Sequence, residues 1–208
     1  MELKRKSKIV SIIIGIILLV AVIIFNLYNY SSSKKEVIIE ENKIEEFFVE
    51  EIIEEPQMTE IKPVTESKRQ NTTNYSMIVE IPNIGLKKGL CSIGQECNAV
   101  SKNIQILKES DMPNVTNGNL LLAGHNGNSK VSFFNKLDKL KVNDSIYIYY
   151  NGTKYEYKLS NYYDIKKTGK AIIHRDNDKT TLVLITCKKN TDDKQVVYIA
   201  YLDNKTEY

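Results

Sequence analysis

The chain has 208 residues, with 29 basic and 26 acidic side chains and a net charge of +3. So even a balance makes no electrostatic case for a nucleic-acid partner. Two histidines and three cysteines at unrelated spacings argue against a zinc site, and neither an internal repeat nor a Gly-rich phosphate loop is present.

In chain order, the first feature is IVSIIIGIILLVAVIIFNL, Ile9 to Leu27, which carries no charge. As a helix it spans ~29 Å, enough for a bilayer core of ~30 Å. It exceeds the usual apolar core of a cleaved signal peptide and lacks a clean small-residue cleavage site, so it is expected to remain as a single-pass anchor. Lys4, Arg5, Lys6 and Lys8 precede it and YNYSSS follows. The positive-inside bias therefore predicts residues 1–8 in the cytoplasm, residues 9–27 in the cell membrane and everything later outside.

Residues 28–76 are expected to form an acidic stalk and linker. Glu36 to Glu60 holds ten glutamates, with Ile44, Phe47, Phe48, Ile52 and Ile53 at near-helical spacing. It is either an amphipathic helix resting on the domain or a partner, or a solvated stalk. The stretch from Pro56 to Ser76 has two prolines and few apolar residues, the composition of a flexible linker.

Residues 77–208 form one predicted domain, with 19 basic against 14 acidic side chains. MIVEI, NLLLA, SIYIYY, TKYEYKLSNYY, TTLVLIT and QVVYIAYL are β-branched or aromatic-rich runs, and Asn151-Gly152 marks a tight hairpin. Helical turns are predicted only near Asn98 to Leu107 and Val131 to Leu137. This spacing of short strands predicts an all-β fold closed, or nearly closed, into a barrel.

An odd number of cysteines in an exported chain leaves one over. Cys91 and Cys97, six residues apart, can close a small loop if their Cα atoms approach within ~7 Å. Cys187 ends an apolar run where it meets the polar loop KKNTDDK, a half-exposed position at a barrel rim where a thiolate can be reached. A nucleophilic cysteine needs a base. His125, between an apolar strand and glycine-bearing turns in LLLAGHNGNSKVSFF, is one candidate; His174, in AIIHRDNDK, is the other and has the setting of a solvated surface residue.

Taken together in this order, LLLAGHNGNSKVSFFNKLDKLKVNDSIYI and TTLVLITCKKNTDDKQVVYIAYL resemble the histidine and cysteine blocks of sortases, the membrane-anchored cysteine transpeptidases of Gram-positive bacteria. IVEIPNIGLKKGL resembles the opening of their barrel. The resemblance covers nearly all of Met77 to Leu202. It implies an eight-stranded sortase-type barrel with short helices behind the membrane helix and linker.

It also implies that Cys187 attacks an LPXTG-like sorting signal, that His125 is the general acid and base, and that Thr186 lines the signal groove. The acceptor would be an amine of a peptidoglycan precursor or a pilin lysine. No cofactor is required, although some relatives have a calcium site. By elimination the subclass is class A-like or unassigned.

One position departs from the family pattern. Five residues before Ala200, where sortases carry an arginine, stands Gln195, whose amide donates without charge. Lys194 ranks second as a replacement, since in a strand it faces the other way. Arg175, the sole arginine of the domain, ranks third, being ~23 Å from the thiol if Thr180 to Cys187 is extended. Two other readings remain at this point: a catalytically weakened scaffold that binds sorting signals or envelope partners, and an unrelated membrane-anchored β-domain receptor.

Overall fold

A computed structural model describes residues 2–53 and 75–208. These divide into two compact units, one of residues 1–42 and one of residues 43–208. In the first, helix α1 (Glu2–Ile53) carries exposed Ile16, Ile17, Leu18, Leu19, Ile23 and Phe25 around its circumference. An apolar helical stretch exposed on every side suits lipid. Among the described residues α1 is the one helix long and apolar enough to cross a membrane.

The second unit is built on eight strands: β1 (Met77–Ile81), β2 (Leu86–Leu90), β3 (Gln105–Ile106), β4 (Asn119–Ala123), β5 (Ser145–Tyr150), β6 (Thr153–Lys166), β7 (Thr181–Cys187) and β8 (Lys194–Glu207). They form a single sheet in the order β2-β1-β5-β6-β8-β7-β4-β3. The sheet curls into a nearly closed barrel around Leu90, Ile106, Leu120, Leu122, Phe134, Ile146, Tyr157, Leu182 and Leu184. Two register shifts in the 14-residue β6, at Glu156/Tyr157 and Leu159/Asn161, supply the bend that closure needs. Asn151 and Gly152, with φ of 48° and 66°, make the hairpin between β5 and β6, where Tyr150 faces Thr153.

The six expected strands are present, and two more join them. β2 reads LKKGL, whose lysines and glycine hide it, yet lysines are what an edge strand carries. β3 has two residues and falls where a helical turn was predicted. From Asn98 to Leu107 the expected helical turn is a single one, Lys102 N and Asn103 N both donating to Ala99 O at 2.8 Å, and side chains take over the backbone on either side of it. The Asn98 amide donates to Ile106 O at 2.9 Å and accepts from Ile106 N at 2.7 Å. Asn103 donates to Gly89 O at 2.9 Å. Near Val131 to Leu137 the chain turns as predicted, with Asn135 N donating to Ser132 O at 3.2 Å and Leu137 N to Phe134 O at 3.3 Å, and runs on into a 3-10 turn at Leu137–Lys139.

Cys91 and Cys97 are joined in a disulfide, with Cα atoms 5.9 Å apart. Cys187 is a free thiol. Residues 44–48 at the end of α1 pack on the outside of β1 and β5, where Ile44 and Phe47 bury Ile78. Phe48 lies 5.1 Å from the rings of both Tyr149 and Tyr208. Of the two forms expected for Glu36 to Glu60, residues 44–48 take that of a helix resting on the domain. The linker expected from Pro56 falls almost wholly in residues 54–74, outside the described residues.

Candidate active site

Strand direction decides what meets at one rim. β4 runs parallel to β7, and both β6 and β7 run antiparallel to β8. The ends of β4, β6 and β7 and the start of β8 therefore lie at the same edge of the barrel. Cys187 is the last residue of β7, half-buried, and pairs directly with Gln195, which pairs in turn with Ile165.

Alternation sets the face. Leu182 and Leu184 point into the barrel, whereas Val183 and Ile185 pack outside with Leu121, Val197 and Ile199. Two residues beyond Ile185, Cys187 shares that outer face, as does Gln195.

The position of His125 follows from β4. Ala123 pairs with Ile185, and Gly124 N continues the ladder by donating to Ile185 O at 3.1 Å. The next residue, His125, is exposed and lies one step past that bond.

Three contacts hold this juncture. Thr186 Oγ1 donates to Gly124 O at 2.8 Å, the Asn126 amide donates to Cys187 O at 2.9 Å, and Phe134 N donates to His125 O at 3.0 Å. Gly124 must be glycine for lack of space, since a Cβ there would lie 2.7 Å from the Phe134 ring.

A cleft of about 730 Å³ opens at this rim. Cys187 lines it together with Asn126 to Asn128, Asn135, Lys167 and the β7–β8 loop from Lys188 to Asp192. His125 lies beside the cleft, and the three residues after it form the wall. The loop is pinned at both lysines. Lys188 pairs with Asp164, and Lys189 reaches both carboxylate oxygens of Asp138 at 2.8 and 2.9 Å. Among the described residues no three His, Cys, Asp or Glu side chains converge as metal ligands would.

Thr186, next to the thiol in the chain, is 3% exposed, and its hydroxyl ties β7 to β4. The other sequence candidates are not brought to the thiol. Lys194 pairs with Lys166 with no bulge nearby, which leaves it on the opposite face from Gln195. Arg175 is fixed at the far end of β7. Its Nη1 donates to Asn117 O and Lys179 O at 3.1 Å and to Thr181 Oγ1 at 3.3 Å. Six strand steps separate Thr181 from Cys187, ~20 Å. His174 lies on the β6–β7 loop, its ring 5.4 Å from that of Tyr163. Lys167 was not anticipated, because its sequence context, IKKTGK, resembles any solvated turn.

Comparison with known proteins agrees with this architecture. Residues 79–203 match the sortase domain model. The chain is 28% identical over 148 residues to sortase A of Bacillus anthracis, covering 71% of this chain and 67% of that protein. Sortase A of Listeria monocytogenes superposes with a TM-score of 0.54 at 21% identity, covering 64% of this chain and 90% of that structure. A sortase D5 transpeptidase of Clostridium perfringens gives 0.53 at 24% identity, covering 63% and 80%.

The chain belongs to the sortase family. Family and fold together make it a transpeptidase with one candidate membrane span. Sortases A, C and D5 superpose alike, with TM-scores from 0.51 to 0.56, so the fold leaves the subclass open.

Proposed function

We propose that this transpeptidase cleaves an LPXTG-like sorting signal and transfers the carboxyl side to an amine. What supports this reading is that Cys187 pairs with Gln195 at the rim, beside the cleft, and that His125 follows two residues after Ala123, the partner of Ile185. Cys187 attacks the carbonyl of the Thr-Gly bond. An S–C bond forms, the C–N bond breaks, and His125 supplies the proton to the leaving amine.

In the second half His125 removes a proton from the incoming amine, whose nitrogen displaces sulfur from the thioester. The acceptor is a peptidoglycan cross-bridge amine or a pilin lysine. Gln195 donates a neutral hydrogen bond to the carbonyl oxygen during both steps. No cofactor enters this chemistry. The basic flank of Lys4 to Lys8 supports a cytoplasmic N-terminus, with residues 77–208 outside.

The uncharged Gln195 opposite the thiol also favours a second reading, a weakened sortase that binds sorting signals as a scaffold. Incubating the full chain in detergent with an LPXTG peptide and an amine, followed by mass spectrometry, separates the two. The enzyme gives an acyl adduct on Cys187 and a transfer product, both lost in Cys187→Ala and His125→Ala. Binding of the peptide with no adduct would establish the scaffold instead.

A further inference from the structure

A neutral amide opposite the thiol leaves negative charge unbalanced, first on sulfur and then on the acyl oxygen. The cations around the cleft differ in what already holds them. Lys188 and Lys189 are committed to Asp164 and Asp138, Lys194 faces away, and Arg175 is tied down at the far end of β7. Lys167 is the exception. It lines the cleft with Cys187, and no carboxylate is paired with it among the described residues.

Its placement follows from the sheet. Ile165 stands in the same row as Gln195 and Cys187 and packs on the outer face. Lys167, two residues on, keeps that face, and its N–H extends the ladder by donating to Asp193 O at 2.7 Å. β6 and β7 flank β8, so their backbones are two strand spacings apart, ~9.6 Å, and Lys167 stands two residues, ~6.6 Å, beyond the row that holds Cys187. A lysine's flexible four-carbon stem brings its ammonium across much of that gap. Asp192 lines the same cleft and is the acid that competes for it.

We propose that Lys167 is the catalytic cation of this cleft, facing the Cys187 sulfur and then the acyl oxygen in place of the guanidinium that position 195 lacks. The acyl half of this assignment rests on the transpeptidase reading above. The sulfur half does not, since an adjacent cation promotes the thiolate whatever the substrate.

Two measurements on the detergent-solubilised full chain test it: alkylation of Cys187 by iodoacetamide at neutral pH, and kcat/KM for an LPXTG peptide with a glycine amide acceptor. Lys167→Ala is expected to slow alkylation several-fold and to lower kcat/KM by about 10²-fold, the usual cost of losing a donor to the oxyanion. Lys167→Arg should retain both, and adding Gln195→Arg to Lys167→Ala should restore most of the loss.

The assignment is overturned if Lys167→Ala leaves both rates unchanged. It is equally overturned if neither Lys167→Arg nor the added Gln195→Arg repairs a loss, since that marks a structural role. If alkylation depends on Lys167 while even the unaltered chain turns over no peptide, Lys167 stands and the transpeptidase reading falls.

Discussion

Thr186 and Cys187 are neighbours with opposite duties. Facing inward, the threonine spends its hydroxyl on Gly124 O, while the cysteine beside it faces the cleft. Thr186→Val keeps the shape and strands a buried carbonyl, so it should cost about 1–3 kcal/mol in denaturant unfolding. Because the same bond ties the end of β7 to the end of β4, alkylation of Cys187 should change as well; an unaltered midpoint would deny the bond any role.

What the sequence disclosed at this scale follows from how local each cue is. The thiol and imidazole stand in recognisable blocks. The duty of Thr186 depends on a backbone oxygen 62 residues away, and that of Arg175 on Asn117 O, 58 residues away, which no local pattern encodes.

Among the elements, the end of α1 combines cues that conflict in the sequence. Seven glutamates from Glu36 to Glu51 suggest solvent, whereas Ile44, Phe47 and Phe48 form an apolar stripe, and packing on Ile78 and Tyr149 favours the stripe. Phe47 is 7% exposed. Phe47→Ala should remove about 3 kcal/mol from the docking of these turns. By hydrogen exchange, amides of residues 44–48 should open faster while those of β7 and β8 keep their protection. Equal loss in all three would mean that the helix belongs to the barrel's own cooperative unit.

The strands divide along similar lines. Runs such as TLVLITC, dense in β-branched residues, were legible. LKKGL and the two-residue β3 were not, because pairing with β1 and β4, not their own composition, makes them strands.

At the scale of the molecule, Tyr149, Tyr155, Tyr157 and Tyr198 resist ionisation in the folded state. Burial pushes Tyr155 and Tyr157 up, burial and then Glu80 push Tyr149 up, and burial followed by Asp138 holds Tyr198 at about 12 against an ordinary 10.0. Groups raised in this way lend stability that is fully present below the unfolded value and lost as pH rises through the folded one. The melting temperature should therefore decline once pH passes about 10, with phenolate absorbance from these rings appearing only on unfolding. A flat melting temperature up to pH 12 would contradict the burial of these hydroxyls.

The barrel as a class was legible from its alternating runs. The pairing of β4 with β7 was not, since it joins segments about 60 residues apart and is the sheet's one parallel contact. That contact also sets a schedule. During synthesis, the rim cannot form until β7 has emerged and found β4, and it carries Gln195 only once β8 has joined. Any shorter intermediate presents the segment after β4 or the end of β7 without its neighbour, so the rim is assembled as a single late event.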